Sequence, residues 1–359
     1  MSMATDVTGK DGLAARREKL FSAINRAASW LTALGFGWLV PLLKMAAGDN
    51  PREQLGELRD ALVIPLTGIA IFVLAWAILA PQVQTSLGAI PGPAQVWEQA
   101  TGLWDDHLAE RGKEAEFYAR QDARNAELVA KGETDKVKQR SYTGKPTFID
   151  QIFTSLKTVG LGFLIATVIA VPLGIASGLS RAVNGALNPL VQLFKPVSPL
   201  AWLPIVTMVV SAVYADASGG LPKALIISAV TVTLCSLWPT LINTALGVAS
   251  IDKDLVNVGK VLQLSMPTTV SKLVLPSALP LIFTGLRLSL GVGWMVLIAA
   301  EMLAQNPGLG KFVWDEFQNG SSNSLARIMV AVLTIGIIGF LLDRIMLALQ
   351  TAFSFSAQR

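Results

Sequence analysis

Twenty consecutive uncharged residues, Ala61 to Ala80 (ALVIPLTGIAIFVLAWAILA), are the feature that most constrains what this chain can fold into. A helix of that length is about 30 Å long, which is the thickness of the hydrocarbon core of a bilayer. A helix that is apolar on every side needs an apolar environment on every side. The run therefore predicts a membrane-spanning helix that ends at Pro81.

The rest of the chain has the same character. Of its 359 residues, 52% are hydrophobic and 15% are charged, and the mean hydropathy is +0.52, whereas about a quarter of the residues in soluble domains are charged. We predict an all-α integral membrane protein with about six spanning helices. The five further spans are expected at about 153–177, 199–214, 222–245, 278–303 and 325–349.

The predicted spans divide the chain into segments. A shorter apolar run, Trp30 to Met45, is expected to form an interfacial helix, although a seventh span at this position stays open. The segments are a cytoplasmic N-terminal part with this helix (1–60), the first span (61–81), a periplasmic insert (82–150), a core with five spans (151–352) that includes a loop at 246–276, and a cytoplasmic tail (353–359).

The positive charges of the short loops predict the orientation of the chain. Loops on the cytoplasmic side carry an excess of Lys and Arg, and long loops are largely exempt from this rule. With the N-terminus inside, the inner loops hold Arg181, Lys195, Lys253, Lys260 and Lys272, and the short outer loops hold only Lys223 and Lys311. We predict a multi-pass protein of the bacterial inner membrane with both termini in the cytoplasm.

Catalytic and metal-binding chemistry has little support in the sequence. One cysteine, Cys235, and one histidine, His107, argue against a disulfide framework and against a zinc or haem site. No GxxxxGK[ST] loop is present, so the chain is not expected to be its own ATPase. We expect no catalytic residue, no metal ligand, no cofactor and no nucleic-acid partner.

Small residues at four-residue spacing predict two close helix contacts. Such a stripe lets the backbones of two helices approach each other. The helix-packing candidates are Gly162, Ala166, Ala170, Gly174 and Gly178 in the second span and Gly285, Ser289 and Gly293 in the fifth.

Ionisable and polar groups within the spans are candidates for a translocation pathway, because charge at membrane depth is costly. Arg287 is the strongest candidate, with snorkelling to the cytoplasmic interface as the alternative. Glu301 is a second candidate, with a role in helix packing as the alternative. Trp202 and Asn243 complete the set.

The predicted cytoplasmic loop from Gly247 to Leu275 (GVASIDKDLVNVGKVLQLSMPTTVSKLVL) contains an amphipathic pattern. Leu255, Val258 and Leu262 fall at helical spacing, and Pro267 is expected to end the run. An amphipathic helix here can seat in a groove of another protein or lie on the bilayer. We favour a protein partner.

The stretch from Asn257 to Leu303, together with PVSPLAWLPI at 196–205, resembles permease subunits of ATP-binding-cassette importers for nitrate, bicarbonate and sulfonates. The cytoplasmic signature of that family is Glu-Ala-Ala, three residues, Gly, and then Leu-Pro at a fixed distance. Alignment on Leu275-Pro276 places Asn257, Val258 and Gly259 on the Glu-Ala-Ala positions and Gln263 on the glycine. The residues expected to couple to an ATPase are Leu255, Asn257, Val258, Gly259, Leu262, Gln263 and Ser265.

The resemblance implies the transmembrane domain of a type I importer with a cytoplasmic coupling helix. It also implies a second permease copy, two cytoplasmic ATPase subunits that bind ATP and Mg, and a periplasmic substrate-binding protein. The segments LGAIPGPAQVWEQ and GLGKFVWDEF are most similar to the nitrate branch, so nitrate is the expected substrate. Bicarbonate and taurine or other sulfonates are the alternatives.

Two functions of other classes stay open. A stand-alone, ion-coupled secondary transporter would carry acidic pairs inside its spans, and Glu301 is the one such residue that the sequence reading identifies. An integral membrane enzyme would need a catalytic cluster, and none is recognised in the sequence.

Overall fold

The computed structural model of the protein describes residues 20–32, 34–85, 88–214, 220–321 and 323–357, which are mostly helical. A pair of two-residue strands, β1 (Gln84–Thr85) and β2 (Gly88–Ala89), is antiparallel, with Gln84 opposite Ala89. The helices are α1 (20–32), α2 (Leu39–Ala46), α3 (Pro51–Leu58), α4 (Ile64–Leu79), α5 (Pro93–Ala130), α6 (Phe148–Leu179), α7 (Arg181–Phe194), α8 (Pro199–Val213), α9 (Lys223–Ala249), α10 (Lys253–Val261), α11 (Met266–Thr269), α12 (Leu275–Ala304), α13 (Leu309–Asn319) and α14 (Ser324–Ala357).

Five helical segments of the described chain are long and apolar enough to cross a membrane. They are Pro51–Gln82, Phe148–Leu179, Lys223–Ala249, Met266–Ala304 and Ser324–Phe353. The first begins ten residues before Ala61, because α3 and α4 are joined by a helical turn at Arg59–Val63. Five of the six expected spans are therefore present as single helical segments.

The predicted third span differs from this pattern. Helix α8 has 15 residues, about 22 Å at 1.5 Å per residue, so it is too short to cross the bilayer alone. It follows α7 after a bend of 104°, and the pair forms either one broken span or a re-entrant loop. Pro199 opens α8 and Ser198 caps it. The apolar run expected at 199–214 is thus present as α8, and it counts as a span only together with α7, because the cap and the proline start a new helix direction.

Two spans contain a proline directly after a π-helical turn. The turn Arg59–Val63 precedes Pro65, and the turn Val270–Val274 precedes Pro276. Proline has no amide proton and its ring clashes with the carbonyl four residues before it. A wider π turn relieves that clash. Pro276 therefore lies within the continuous segment Met266–Ala304 and does not restart a helix.

The apolar run from Trp30 to Met45 does not form one helix. Helix α1 ends at residue 32, α2 begins at Leu39, and Gly35 between them has a φ of +88°. A φ of this sign is readily adopted by glycine. The expected single interfacial helix is thus divided into two helices, and neither α2 nor the described part of α1 is long enough to span.

Helix α9 lies at the centre of the bundle between α6 and α12, with which it makes its most extensive contacts. The small residues of α6 face it: Ala166 and Ala170 are buried, and a Cβ on Gly162 would lie 2.7 Å from the carbonyl oxygen of Ala229. Gly174 and Gly178 also approach α9 closely, against Thr244 and Val248.

The small residues of α12 contact α9 as well. A Cβ on Gly285 would lie 2.8 Å from the Cβ of Asn243, and one on Gly293 would lie 3.2 Å from Val232. Between them, Ser289 is fully buried and shares a hydrogen bond of 2.7 Å with the hydroxyl of Thr240. Helix α4, in contrast, has no buried residue.

The expected outer insert is built around α5, a helix of 38 residues. Val96 and Leu103 on its first turns pack into the main apolar cluster of the bundle. The segment after the helix folds back along it. The side-chain amide of Asn125 on α5 donates a hydrogen bond to the backbone carbonyl of Lys138 in this segment. The insert is therefore a long helix followed by a segment that folds back along it, which we call the return strap (138–146).

Candidate functional site

Helix α10 and the turn after it form an exposed apolar surface between α9 and α11. The carboxylate of Asp252 accepts a hydrogen bond from the amide of Asp254 and caps the helix. Leu255, Val258 and Leu262 are 47–63% exposed. Asn257 is exposed as well. Four of the residues that the sequence predicts for partner contact are thus exposed on this loop.

The end of α10 is formed by Gln263, whose φ of +48° is left-handed. The amide of Gln263 donates to the carbonyl of Lys260, and the amide of Leu264 donates to that of Gly259. These two bonds form a Schellman motif, in which glycine commonly occupies the left-handed position. Gln263 is the residue that aligns with the glycine of the signature, and it adopts the left-handed conformation that glycine favours.

Two further residues of this loop have structural contacts. Gly259 is buried, and a Cβ there would lie 3.4 Å from Cδ1 of Leu273. Ser265 precedes α11, and its hydroxyl lies 2.8 Å from that of Thr268. Pro267 lies in the first turn of α11. The expectation that Pro267 ends α10 is wrong, because Gln263 ends α10 and Pro267 begins the next helix.

Arg287 on α12 pairs with Asp343 on α14. Its Nε donates to Oδ1 of Asp343, and its Nη2 donates to Oδ2 at 2.8 Å. The two side chains remain 38% and 35% exposed. Asp343 shows that Glu301 is not the only carboxylate in a span, so the sequence-based description of the acidic residues was incomplete.

Glu301 on α12 is completely buried. Its carboxyl oxygens accept from the hydroxyl of Ser155 at 2.8–2.9 Å and from the amide of Gly310 at 3.0 Å. The hydroxyl of Ser155 in turn accepts from the amide of Leu309. Ser155 and Glu301 thus accept the hydrogen bonds of two backbone amides in the first turn of α13, which have no partner within that helix. This geometry favours the packing alternative for Glu301 over the pathway candidate.

Gly308 and Gly310 lie so close to α12 that a larger side chain would not fit at either position. A Cβ on Gly308 would meet Oε1 of Glu301 at 2.1 Å, and a Cβ on Gly310 would meet the carbonyl oxygen of Ile298 at 2.1 Å. The sequence reading missed Ser155, Gly308 and Gly310. The signal that could have found them is the run Asn-Pro-Gly-Leu-Gly directly after the predicted span.

Neither Trp202 nor Asn243 has a hydrogen bond to Arg287 or Glu301 within the described residues, and Arg287 and Glu301 are themselves 14 positions apart on α12, about 21 Å along its axis. Trp202 on α8 packs against Phe194 with ring centroids 5.7 Å apart. The amide of Asn243 donates to the carbonyl of Pro239 on its own helix. The four predicted pathway residues therefore do not form one cluster.

A second polar region lies between α5, the start of α6, α13 and α14, around a cavity of about 300 Å³. The hydroxyl of Tyr142 donates to Glu110 there at 2.8 Å. Hydrogen bonds from Tyr142 and from Lys113 lower the pKa of Glu110, and the Glu110 carboxylate raises the pKa of Tyr142. The same contact holds the return strap against α5.

Comparison with known proteins gives consistent matches. The family described as "Binding-protein-dependent transport system inner membrane component" matches residues 170–355. The bicarbonate transport system permease protein CmpB of Synechococcus elongatus is 35% identical over 81% of this chain and 89% of that protein. The nitrate import permease protein NrtB of Synechocystis sp. is 32% identical over 85% of this chain and 95% of that protein.

A solved structure gives a further match. It is titled "Inward facing conformations of the MetNI methionine ABC transporter", and it aligns with a TM-score of 0.45 and 17% identity over 55% of this chain and 94% of that one.

Proposed function

Because the chain belongs to the family of inner membrane components of binding-protein-dependent transport systems, we propose that it is the permease subunit of an ATP-driven importer of a small inorganic oxyanion, with nitrate as the first candidate. The family and the helical spans together confirm the predicted all-α integral membrane class, and the arrangement of a type I importer is part of the proposal. The chain is a multi-pass permease of the inner membrane, and transport, not catalysis, is its class of function.

The proposed coupling to separate ATPase subunits is supported by the loop around α10. Leu255, Val258 and Leu262 expose apolar area on a capped, well-formed helix. A helix with an apolar edge binds in a groove of a partner protein. In the proposed complex, two ATPases bind ATP and Mg, and their approach to each other moves this loop and the spans that follow it.

The choice of substrate is supported by the named relatives. Permeases for nitrate and for bicarbonate match this chain at similar identity, 32% and 35%. Both anions are small, planar and trigonal, so one permease scaffold suits either. Bicarbonate is therefore the second candidate, and it is supported by two permeases named for it, which cover 81% and 83% of this chain, against 85% for the nitrate permease of Synechocystis.

The proposed assembly has two copies of this chain, two ATPases and a periplasmic substrate-binding protein. The family description names the dependence on a binding protein. Helix α4 supports a second copy, because the rest of the chain covers it only partly, at Trp76, and leaves its other side chains exposed. We place both termini in the cytoplasm and the α5 insert in the periplasm, as the loop charges predict.

The test is uptake into proteoliposomes that contain the chain, its ATPases and its binding protein, with labelled nitrate, bicarbonate or taurine. Nitrate uptake that requires ATP supports the proposal, and uptake of bicarbonate alone moves the substrate to the second candidate. The control is the same complex with the phosphate-loop lysine of the ATPase replaced. Uptake that is unchanged in that control, and is driven by an ion gradient, would assign the chain to secondary transporters.

A further inference from the structure

The paired side chains of Arg287 and Asp343 lie in the interior of two spanning helices. Arg287 is about 18 Å from the start of α12 and about 25 Å from its end, and Asp343 is more than three turns from either end of α14. About one third of each side chain is exposed. A charged pair in this position is costly against lipid. The surface that carries it is therefore covered by protein or faces water.

The pair borders a cavity of about 470 Å³ on the exposed face of α12 and α14. Thr284, Gly291 and Met295 line it from one face of α12, and Gln350 lines it from α14. Gly291 has no atom within 4 Å of the position that a Cβ would take. The cavity is therefore large enough for a triatomic or four-atom anion with part of its water.

The geometry of the ion pair leaves one edge of the guanidinium unused. Asp343 accepts from Nε and from one proton of Nη2. The edge between Nη1 and Nη2 makes no hydrogen bond within the described residues. A guanidinium edge donates two parallel hydrogen bonds to a planar oxyanion. Asp343 fixes the plane of the guanidinium by holding the opposite edge.

We propose that the free edge of Arg287 is a transient binding site for the transported oxyanion, with Asp343 as the positioning residue that orients the guanidinium and reduces its net charge. This inference rests on the proposed function, and it adds that the second copy of the chain encloses the cavity. The anion displaces water from the cavity and binds through two oxygen atoms.

The partial neutralisation by Asp343 has a functional consequence. A conducting site must bind its ion well enough to admit it and weakly enough to release it. An isolated arginine in a low-dielectric cavity would hold an anion strongly. Beside Asp343, Arg287 supplies directed hydrogen bonds without a full unit of uncompensated charge. The pair therefore favours recognition of shape over tight electrostatic binding.

The test is the concentration dependence of ATP-driven nitrate and bicarbonate uptake by the complete complex, at saturating binding protein. Arg287→Lys keeps the charge but removes the bidentate edge, and it is expected to lower the maximal rate at least about tenfold. Asp343→Asn leaves the guanidinium charge unopposed, and it is expected to lower the half-saturating concentration and the maximal rate together. Arg344→Lys, one residue from Asp343, is the matched control and is expected to keep wild-type kinetics.

A purely structural ion pair gives a different pattern. In that case Arg287→Lys, which can still pair with Asp343, would keep more uptake than Asp343→Asn, and the exchange Arg287→Asp with Asp343→Arg would restore uptake. Restoration by the exchange would overturn the inference, as would wild-type kinetics for Arg287→Lys. Failure of the proposed function is distinguished from both, because the wild-type complex would then take up neither anion.

Discussion

Ser155 on α6 donates its hydroxyl to the buried carboxyl group of Glu301 on α12, 146 residues away in the chain. The same hydroxyl accepts from the amide of Leu309, and the carboxyl group accepts from the amide of Gly310. Two spanning helices and the start of α13 are thus joined through two side chains. The carboxyl group takes the place that an N-cap residue would otherwise fill at α13.

We expect Ser155→Ala to destabilise the permease by about 1–3 kcal/mol, because it leaves buried polar groups without partners. The measurement is the thermal unfolding midpoint of the purified protein in detergent. Ser271→Ala is the control, since Ser271 is exposed and contacts only the carbonyl of Thr268 among the bonds described. Equal midpoints for the two variants would contradict the importance of this contact.

Two glycines of α6 give a matched pair. A Cβ on Gly162 would lie within 2.7–2.9 Å of Ala229 and Val232 on α9, whereas a Cβ on Gly160 would have no atom within 4 Å. We expect Gly162→Ala to destabilise the protein by about 1–3 kcal/mol through overpacking. Gly160→Ala is expected to be neutral or to stabilise α6 by up to about 1 kcal/mol. Thermal midpoints of both variants test this, and a midpoint of Gly162→Ala no lower than that of Gly160→Ala would argue against the α6–α9 contact.

The left-handed backbone at Gln263 predicts that glycine is preferred there. We expect Gln263→Gly to stabilise the end of α10 by about 1 kcal/mol, since glycine adopts a positive φ without strain. Lys260→Gly is the control, and it is expected to destabilise because Lys260 lies within the helix. Hydrogen exchange of the amides of Gln263 and Leu264 reports the result, and faster exchange in Gln263→Gly would contradict the prediction.

The exposed apolar surface of α10 predicts the site of ATPase binding. We expect the double variant Leu255→Asp, Leu262→Asp to lose co-purification with the ATPase, because charge replaces the apolar edge that enters a groove. Val129→Asp on α5 is the control, since Val129 is similarly exposed but lies on the insert. Undiminished binding of the ATPase by the double variant would assign α10 to another role, such as contact with the bilayer.

The Glu110–Tyr142 contact predicts a pH dependence of the strap. The pKa of Glu110 is lowered in the folded protein, so its contribution is present above its ordinary value of 4.5 and is lost as the pH falls through the lower folded value. The pKa of Tyr142 is raised, so its contribution is present below its ordinary value of 10.0 and is lost as the pH rises through the higher folded value.

We therefore expect the strap to be most protected between these limits. Hydrogen exchange of residues 138–146, with rates corrected for their intrinsic pH dependence, is the measurement. Tyr142→Phe removes the hydroxyl and is expected to give a lower, flatter protection profile. A wild-type profile in Tyr142→Phe would show that this contact does not hold the strap.

Several features could be predicted from short stretches of sequence. The apolar runs identify five spans. A helix can cross the bilayer when about 20 consecutive residues are mostly apolar, and this property can be read directly from a contiguous stretch of sequence. The small residues of α6 indicated a close helix contact, and the motifs after Asn257 indicated the family. The bend between α7 and α8 was missed, because 181–194 was expected to be a loop and no helix was predicted there.

The sequence by itself determined that this chain is a helical membrane permease and where most of its spans lie, because hydropathy and local motifs are properties of contiguous residues. Only the tertiary structure decided that Arg287 pairs with Asp343 and that Glu301 bonds to Ser155. These partners are 56 and 146 residues apart. Their contact depends on the rotation and tilt of each helix in the bundle, which are set by packing between helices.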